Sequence, residues 1–181
     1  RKGPGRGVSW LENPGPTAAN STWKEHRIGA ADREVMFLDI ADLNADGREE
    51  IVVAVRDDEI HRFRRPADPT GPWPCEVVRV ETPGGLGTAK GVAAGDIDRD
   101  GRVDLVYSCE HATPPKRGVV WLRGMGNGRP GSWTVHDVSG PEGIKFDRIG
   151  LFDLDRDGDL DILTCEERHA DRGLGVIWYE N

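Results

Sequence analysis

Asp153-Leu154-Asp155-Arg156-Asp157-Gly158-Asp159-Leu160-Asp161 sets carboxylates at the first, third, fifth and ninth places of a nine-residue stretch, with glycine sixth. Alternating side chains converge when such a stretch turns tightly, and glycine lets the backbone swing where a Cβ would resist. A hard cation such as Ca2+ takes about six to eight oxygens at roughly 2.3–2.6 Å. These carboxylates, with the main-chain carbonyl of Asp159, supply a set of that kind. Directly afterwards Ile162 and Leu163 turn apolar, as a buried strand does.

The same pattern occurs twice more. Residues 96–104 carry Asp96, Asp98, Asp100, Gly101 and Asp104, and residues 42–50 carry Asp42, Asn44, Asp46, Gly47 and Glu50. The first aspartates, Asp42, Asp96 and Asp153, recur at near-constant spacing, so the chain reads as a tandem repeat. An EF-hand is excluded, because its loop runs twelve residues between two helices. Acidic turns that merely solvate strand ends are the bland alternative. They leave the alternation and the glycine, three times over, without a reason.

The chain has 181 residues, a formal charge of −8, 24 glycines and 12 prolines, and only 36% hydrophobic residues. That mixture suits short strands joined by turns rather than a helical bundle. The negative charge argues against nucleic acid as a partner. Much of it sits at ligand places of the three stretches, and three divalent ions would bring the total to about −2. No run approaches the roughly 20 apolar residues of a membrane helix. The first residues are Arg1-Lys2-Gly3-Pro4 and no initiator Met precedes them, so a processed product or a piece of a longer protein is expected. Three cysteines cannot all pair. Cys109 and Cys165 stand at matching places in two repeats and read as small buried thiols. Calcium loops of low affinity fit an exported protein, whether secreted, periplasmic or on the cell surface.

Read in order, residues 1–6 are loose and residues 7–181 form the repeats. The strands expected are Gly7–Asn13, Trp23–Ile28, Val35–Ile40, Ile51–Val55, Glu59–Arg64, Cys75–Val80, Gly91–Gly95, Val103–Ser108, 118–122, Trp133–Val138, 148–152, Leu160–Cys165 and Gly175–Asn181. No segment of helical length has a 3.6-residue period. Each unit is four short strands with an acidic loop between the first and second. Repeated in tandem, that is an all-β propeller of four-stranded antiparallel blades. About three blades are present, against the roughly four to eight that close a ring. The chain is therefore expected either to be part of a longer one or to close by association with further copies. Trp23–Ile28 is expected to complete the last blade.

With their Gly-Val-x-Trp strands, the three acidic loops resemble the FG-GAP/VCBS repeats of integrin-α-like propellers. The resemblance covers nearly the whole chain from Gly7. It implies a β-propeller with up to three structural calcium ions. It also implies the ligands: Asp96, Asp98, Asp100, Asp104 and the carbonyl of Arg102 in the second loop. Asp153, Asp155, Asp157, Asp161 and the Asp159 carbonyl correspond in the third. In the first they are Asp42, Asn44, Asp46, Glu50 and the carbonyl of Arg48. With one carboxylate fewer, that loop is expected to bind more weakly. The family's setting makes a secreted or surface module that binds a protein or a glycan the expected role.

The loops after the second strand offer a second chemistry. Glu110 and His111 match Glu166, Glu167, Arg168 and His169 in place, with Lys145, Asp147 and Arg148 nearby in the last unit. Acid and base groups at one end of a ring could bind a sugar or act on one as a lyase or dehydratase. Plain solvated loops are the alternative. His26 and His136, beside Trp23 and Trp133, read as a repeated structural hydrogen bond. Trp10, Trp121 and Trp178 read as inter-blade core. The glycines of 124–131 open no helix and make a surface loop.

Overall fold

A computed structural model describes residues 6–18, 21–56, 58–125, 133–167 and 173–181. β-branched and aromatic runs bounded by Gly, Pro and Asp turns give thirteen strands. These are β1 (Val8–Glu12), β2 (Lys24–Gly29), β3 (Val35–Ala41), β4 (Glu50–Val55), β5 (Glu59–Arg64), β6 (Cys75–Arg79) and β7 (Thr88–Gly95). They continue as β8 (Asp104–Glu110), β9 (Val119–Gly124), β10 (Trp133–Asp137), β11 (Phe146–Phe152), β12 (Asp161–Glu166) and β13 (Gly175–Tyr179). One short 3-10 turn, Pro16–Ala18, interrupts the first loop. No α-helix occurs among the described residues, and no helix is long and apolar enough to cross a membrane.

All ladders are antiparallel. Two complete four-stranded sheets, β3-β4-β5-β6 and β7-β8-β9-β10, lie between a pair, β1-β2, and a three-stranded sheet, β11-β12-β13. The expectation that Trp23–Ile28 completes the last blade is corrected here. β2 pairs with β1, placing His26 opposite Trp10, and the last sheet has three strands. The physical reason is proximity along the chain. β1 has nearly the sequence of β13 but is joined to β2 by a short loop, and short loops close at the least entropic cost.

The sheets stack face to face in chain order. Strand alternation sends neighbouring residues to opposite interfaces. On β4, Val53 and Val55 meet Val8 and Ile28 of the first pair, whereas Val52 and Ala54 meet Leu105, Tyr107 and Leu122 of the next sheet. On β8, Val106 turns the other way, to Phe146, Ile149 and Ile162. A strand buried on both faces reads as a continuous apolar run, which β4 and β8 do. The first strands of successive sheets also touch, β3 against β7 and β7 against β11. Close approach there uses glycine: a Cβ on Gly91 would lie 3.0 Å from the Asp147 carbonyl oxygen, and one on Gly95 2.9 Å from the Leu151 side chain.

The aromatic expectations fare unevenly. Trp10 and Trp121 pack at interfaces between sheets. Trp178 does not; it is 47% exposed, because no described sheet follows β13. His26 does make a structural bond, Nε2 to Glu12 Oε2 at 2.8 Å, and stacks on Trp10 at 4.3 Å. His136 stacks on Trp121 at 4.6 Å. Both histidines thus stack on the tryptophan opposite them on the neighbouring strand. The second sheet has Arg62 opposite Glu76 at this place, an ion pair at 3.7 Å. All three cysteines are free. Cys109 is buried, as expected, Cys165 is half-buried, and Cys75 is exposed.

Candidate functional site

The three acidic loops share one backbone conformation. The fourth residue is left-handed in each, with φ of 55° at Ala45, 59° at Arg99 and 68° at Arg156. The sixth is left-handed too, at Gly47, Gly101 and Gly158. Glycine suits the sixth place for its backbone alone: a Cβ on Gly47 or Gly101 would meet nothing within 4 Å. Gly101→Ala is accordingly expected to lose about 1–2 kcal/mol by the left-handed penalty alone, read as a shift in the urea midpoint. A loss well beyond that would mean a contact is being broken.

Short polar side chains wind these loops. The first carboxylate accepts from the fifth and sixth amides: Asp46 N at 3.1 Å and Gly47 N at 2.7 Å to Asp42, then Asp100 N at 3.0 Å and Gly101 N at 2.9 Å to Asp96. The fifth accepts from the seventh amide in all three, Arg48 N at 2.9 Å to Asp46, Arg102 N at 3.0 Å to Asp100 and Asp159 N at 3.2 Å to Asp157. Carboxylate oxygens are gathered by this turn. The carboxylates of Asp96, Asp98 and Asp100 each place an oxygen within 4.8 Å of the others, and so do Asp153, Asp155 and Asp157. One oxygen of Asp98 is buried with no hydrogen-bond partner.

The ninth residues sit beneath the loops. Glu50, Asp104 and Asp161 are buried and accept from the second amide, Leu43 N at 2.9 Å, Ile97 N at 3.2 Å and Leu154 N at 3.0 Å. Their other oxygens reach the third strand or its end: Asp104 accepts from Gly124 N at 2.7 Å, Asp161 from Asn181 N at 3.1 Å, and Glu50 from Arg62 Nη2 at 2.6 Å. Each oxygen keeps a second lone pair. Burial pushes the Asp104 carboxyl above its ordinary value, against the opposing pull of its amide donors. Burial also works against Asp161, but the amides of Leu154 and Asn181 outweigh it and hold that carboxyl low.

The loops differ in counter-charge. In the second, Arg123 bonds Asp98 and lies 3.2 Å from Asp100, which Arg102 also bonds. In the third loop the place of Arg123 on the neighbouring strand belongs to Glu180. Desolvation, then Asp157, Asp161 and Asp155, raise the Asp159 carboxyl. Arg123 had no warning in the loop sequence; only its place on the third strand, beside the acids, marks it.

The second group of candidates meets at the opposite ends of the strands. Glu110 closes β8, and its Oε2 lies 3.1 Å from Lys90 Nζ. Lys90 is buried on β7 and also holds Asp147 at 3.0 Å. Burial lowers the Lys90 ammonium, yet Asp147 and Glu110 outweigh it and keep its pKa above the ordinary lysine value. His111 Nδ1 stands 3.9 Å from Glu110 and 3.3 Å from Thr88 Oγ1. Glu167 bonds Lys145, which holds that carboxyl below its usual range. Glu166 is buried and accepts from Ile144 N at 3.1 Å, Lys145 N at 3.2 Å and Leu174 N at 2.9 Å, a structural post. The structure thus brings Glu110 and His111 near Lys90 and Asp147, and turns Glu166 inward. Arg168, His169 and most of the 124–131 glycine loop lie outside the described residues. Lys90 was not legible as a site residue. A groove between the second and third sheets was also missed, lined by Arg33, Glu59, Arg79 and Trp133.

Residues 42–107 match the family of FG-GAP-like repeats. The match runs from the first acidic loop into β8, so it contains the first two acidic loops and strands β4 to β7. The chain carries this repeat, in keeping with the FG-GAP/VCBS resemblance of its three loops. A comparison with curated proteins found no match.

Proposed function

We propose that this chain is a calcium-stabilised propeller segment that works outside the cell as a binding or scaffold module for a protein or glycan. The observation that supports calcium best is the threefold loop conformation, with its gathered carboxylates in the second and third copies. The residues fit the ion: Asp96, Asp98, Asp100 and Asp104 with the Arg102 carbonyl, and Asp153, Asp155, Asp157 and Asp161 with the Asp159 carbonyl. Asp42, Asn44, Asp46, Glu50 and the Arg48 carbonyl form the softer set. Bound calcium would supply charge neutralisation where carboxylates crowd. The chain's own amides and ninth carboxylates fix each loop to its strands.

The ligand-binding end is the cluster of Lys90, Glu110, His111, Lys145, Asp147 and Glu167. A lysine held as the ammonium between two carboxylates is a poor general base, so the cluster favours recognition of a polar partner over sugar lyase or dehydratase chemistry.

Calorimetric titration with calcium tests the metal reading. The expected result is saturable binding that loses one site in Asp155→Asn. The third loop should fill before the second, whose Asp98 and Asp100 already have arginine partners. Absence of heat and of any bound calcium would sink the proposal.

A further inference from the structure

The large apolar side chains left exposed gather on the two ends of the stack. At one end stand Leu38 and Ile40, at the other Phe152, Val176 and Trp178. Their repeat equivalents show what such residues meet. Val92 and Ala94, at the places of Leu38 and Ile40, pack on the preceding sheet. Val119 and Trp121, at the places of Val176 and Trp178, pack on the following sheet. Contiguous apolar surface of this kind marks an interaction site.

The two ends also hold complementary parts of one blade. β1-β2 corresponds to the third and fourth strands of a unit, and β11-β12-β13 to the first, second and third. The one duplicated part is the third strand, Gly7-Val8-Ser9-Trp10-Leu11-Glu12-Asn13 against Gly175-Val176-Ile177-Trp178-Tyr179-Glu180-Asn181. Partners that β2 finds in β1 recur in β13.

We propose that two copies of the chain join head to tail, with β13 of one copy replacing β1 beside β2 of the other. β11, β12, β13 and the other copy's β2 then make one four-stranded sheet. Trp178 takes the place of Trp10 against His26, and Glu180 takes that of Glu12 as acceptor for the His26 ring and neighbour of Lys24. One charge match crosses the new pair, Glu180 just past β13 against Lys24 at the start of β2. Strand pairing is conserved, since one β1-β2 ladder is exchanged for one β13-β2 ladder. The gain is burial of Phe152, Leu38 and Ile40 between the joined sheets. Two such joints related by a twofold axis bring the described sheets of two copies into a ring of six. The inference rests on the sheets alone and is independent of calcium and of any ligand.

Sedimentation equilibrium of the full chain tests it, together with a cysteine pair, His26→Cys with Trp178→Cys, in a Cys75→Ser background. The expected results are twice the chain mass and, after mild oxidation, a covalent dimer on a non-reducing gel. Val176→Glu, at an exposed position, should keep the monomer folded and weaken association about tenfold or more. A monomer at every concentration, or a cross-link formed only within one chain, would overturn the proposal.

Discussion

Phe146→Ala is expected to cost about 3–5 kcal/mol, the range for emptying a buried aromatic site. Phe146 opens β11, is fully buried, and joins Val106, Val119, Ile149 and Ile162 between the third and fourth sheets. Its ring fills space that two glycines leave open. A Cβ on Gly118 would come within 2.2 Å of it and one on Gly143 within 2.4 Å. Gly118 and Gly143 have no side chain to extend into the cavity, which limits how far the site can collapse on those sides. Urea unfolding followed by tryptophan fluorescence measures it. A loss below about 1 kcal/mol would mean that the last sheet does not pack on its neighbour as described.

Lys90→Met is the second large effect, expected at about 3 kcal/mol because it strands two carboxylates in a partly buried site. Glu110 and Asp147 have side chains only 21% and 18% exposed, and the Lys90 ammonium is what separates them. The pH dependence has a definite sign. Desolvation pulls the Lys90 pKa down, the two carboxylates pull it up by more, and the folded value exceeds the unfolded one. Its contribution is therefore complete below the unfolded value of about 10.5 and is lost as pH rises through the folded value. The wild-type protein should lose stability above that point more steeply than the variant. Parallel stability curves for the two proteins across the alkaline range would show that the triad carries no weight.

Much of this architecture is legible in sequence because its causes are local. Asp at alternate places followed by glycine dictates the loops, and the runs at Ile51–Val55 and Leu105–Tyr107 dictate strands buried on both faces. What escapes is what depends on distance. Lys90 sits in an otherwise small and apolar strand, and its partners lie far along the chain on β8 and at the start of β11. Arg123 becomes a counter-ion for Asp98 only when β9 is laid beside the loop. The ninth carboxylates read as ligands from spacing alone, whereas their burial and amide bonds appear only once the third strand is in place. The pairing of β2 with β1 turned on which of two similar strands lies nearer in the chain. One clue was available: Arg62 and Glu76 occupy the Trp and His places of the second unit, a paired change that marks a cross-strand contact.

The central claim is that calcium holds the acidic loops in their folded form. Thermal unfolding in saturating calcium and in excess chelator tests it most directly. Each site filled at about a hundredfold excess over its Kd adds about 2.7 kcal/mol, roughly 5–10 °C for a domain of this size. The account predicts a rise of at least that much with calcium, reduced in Asp155→Asn. Coincident unfolding curves in calcium and in chelator would contradict it.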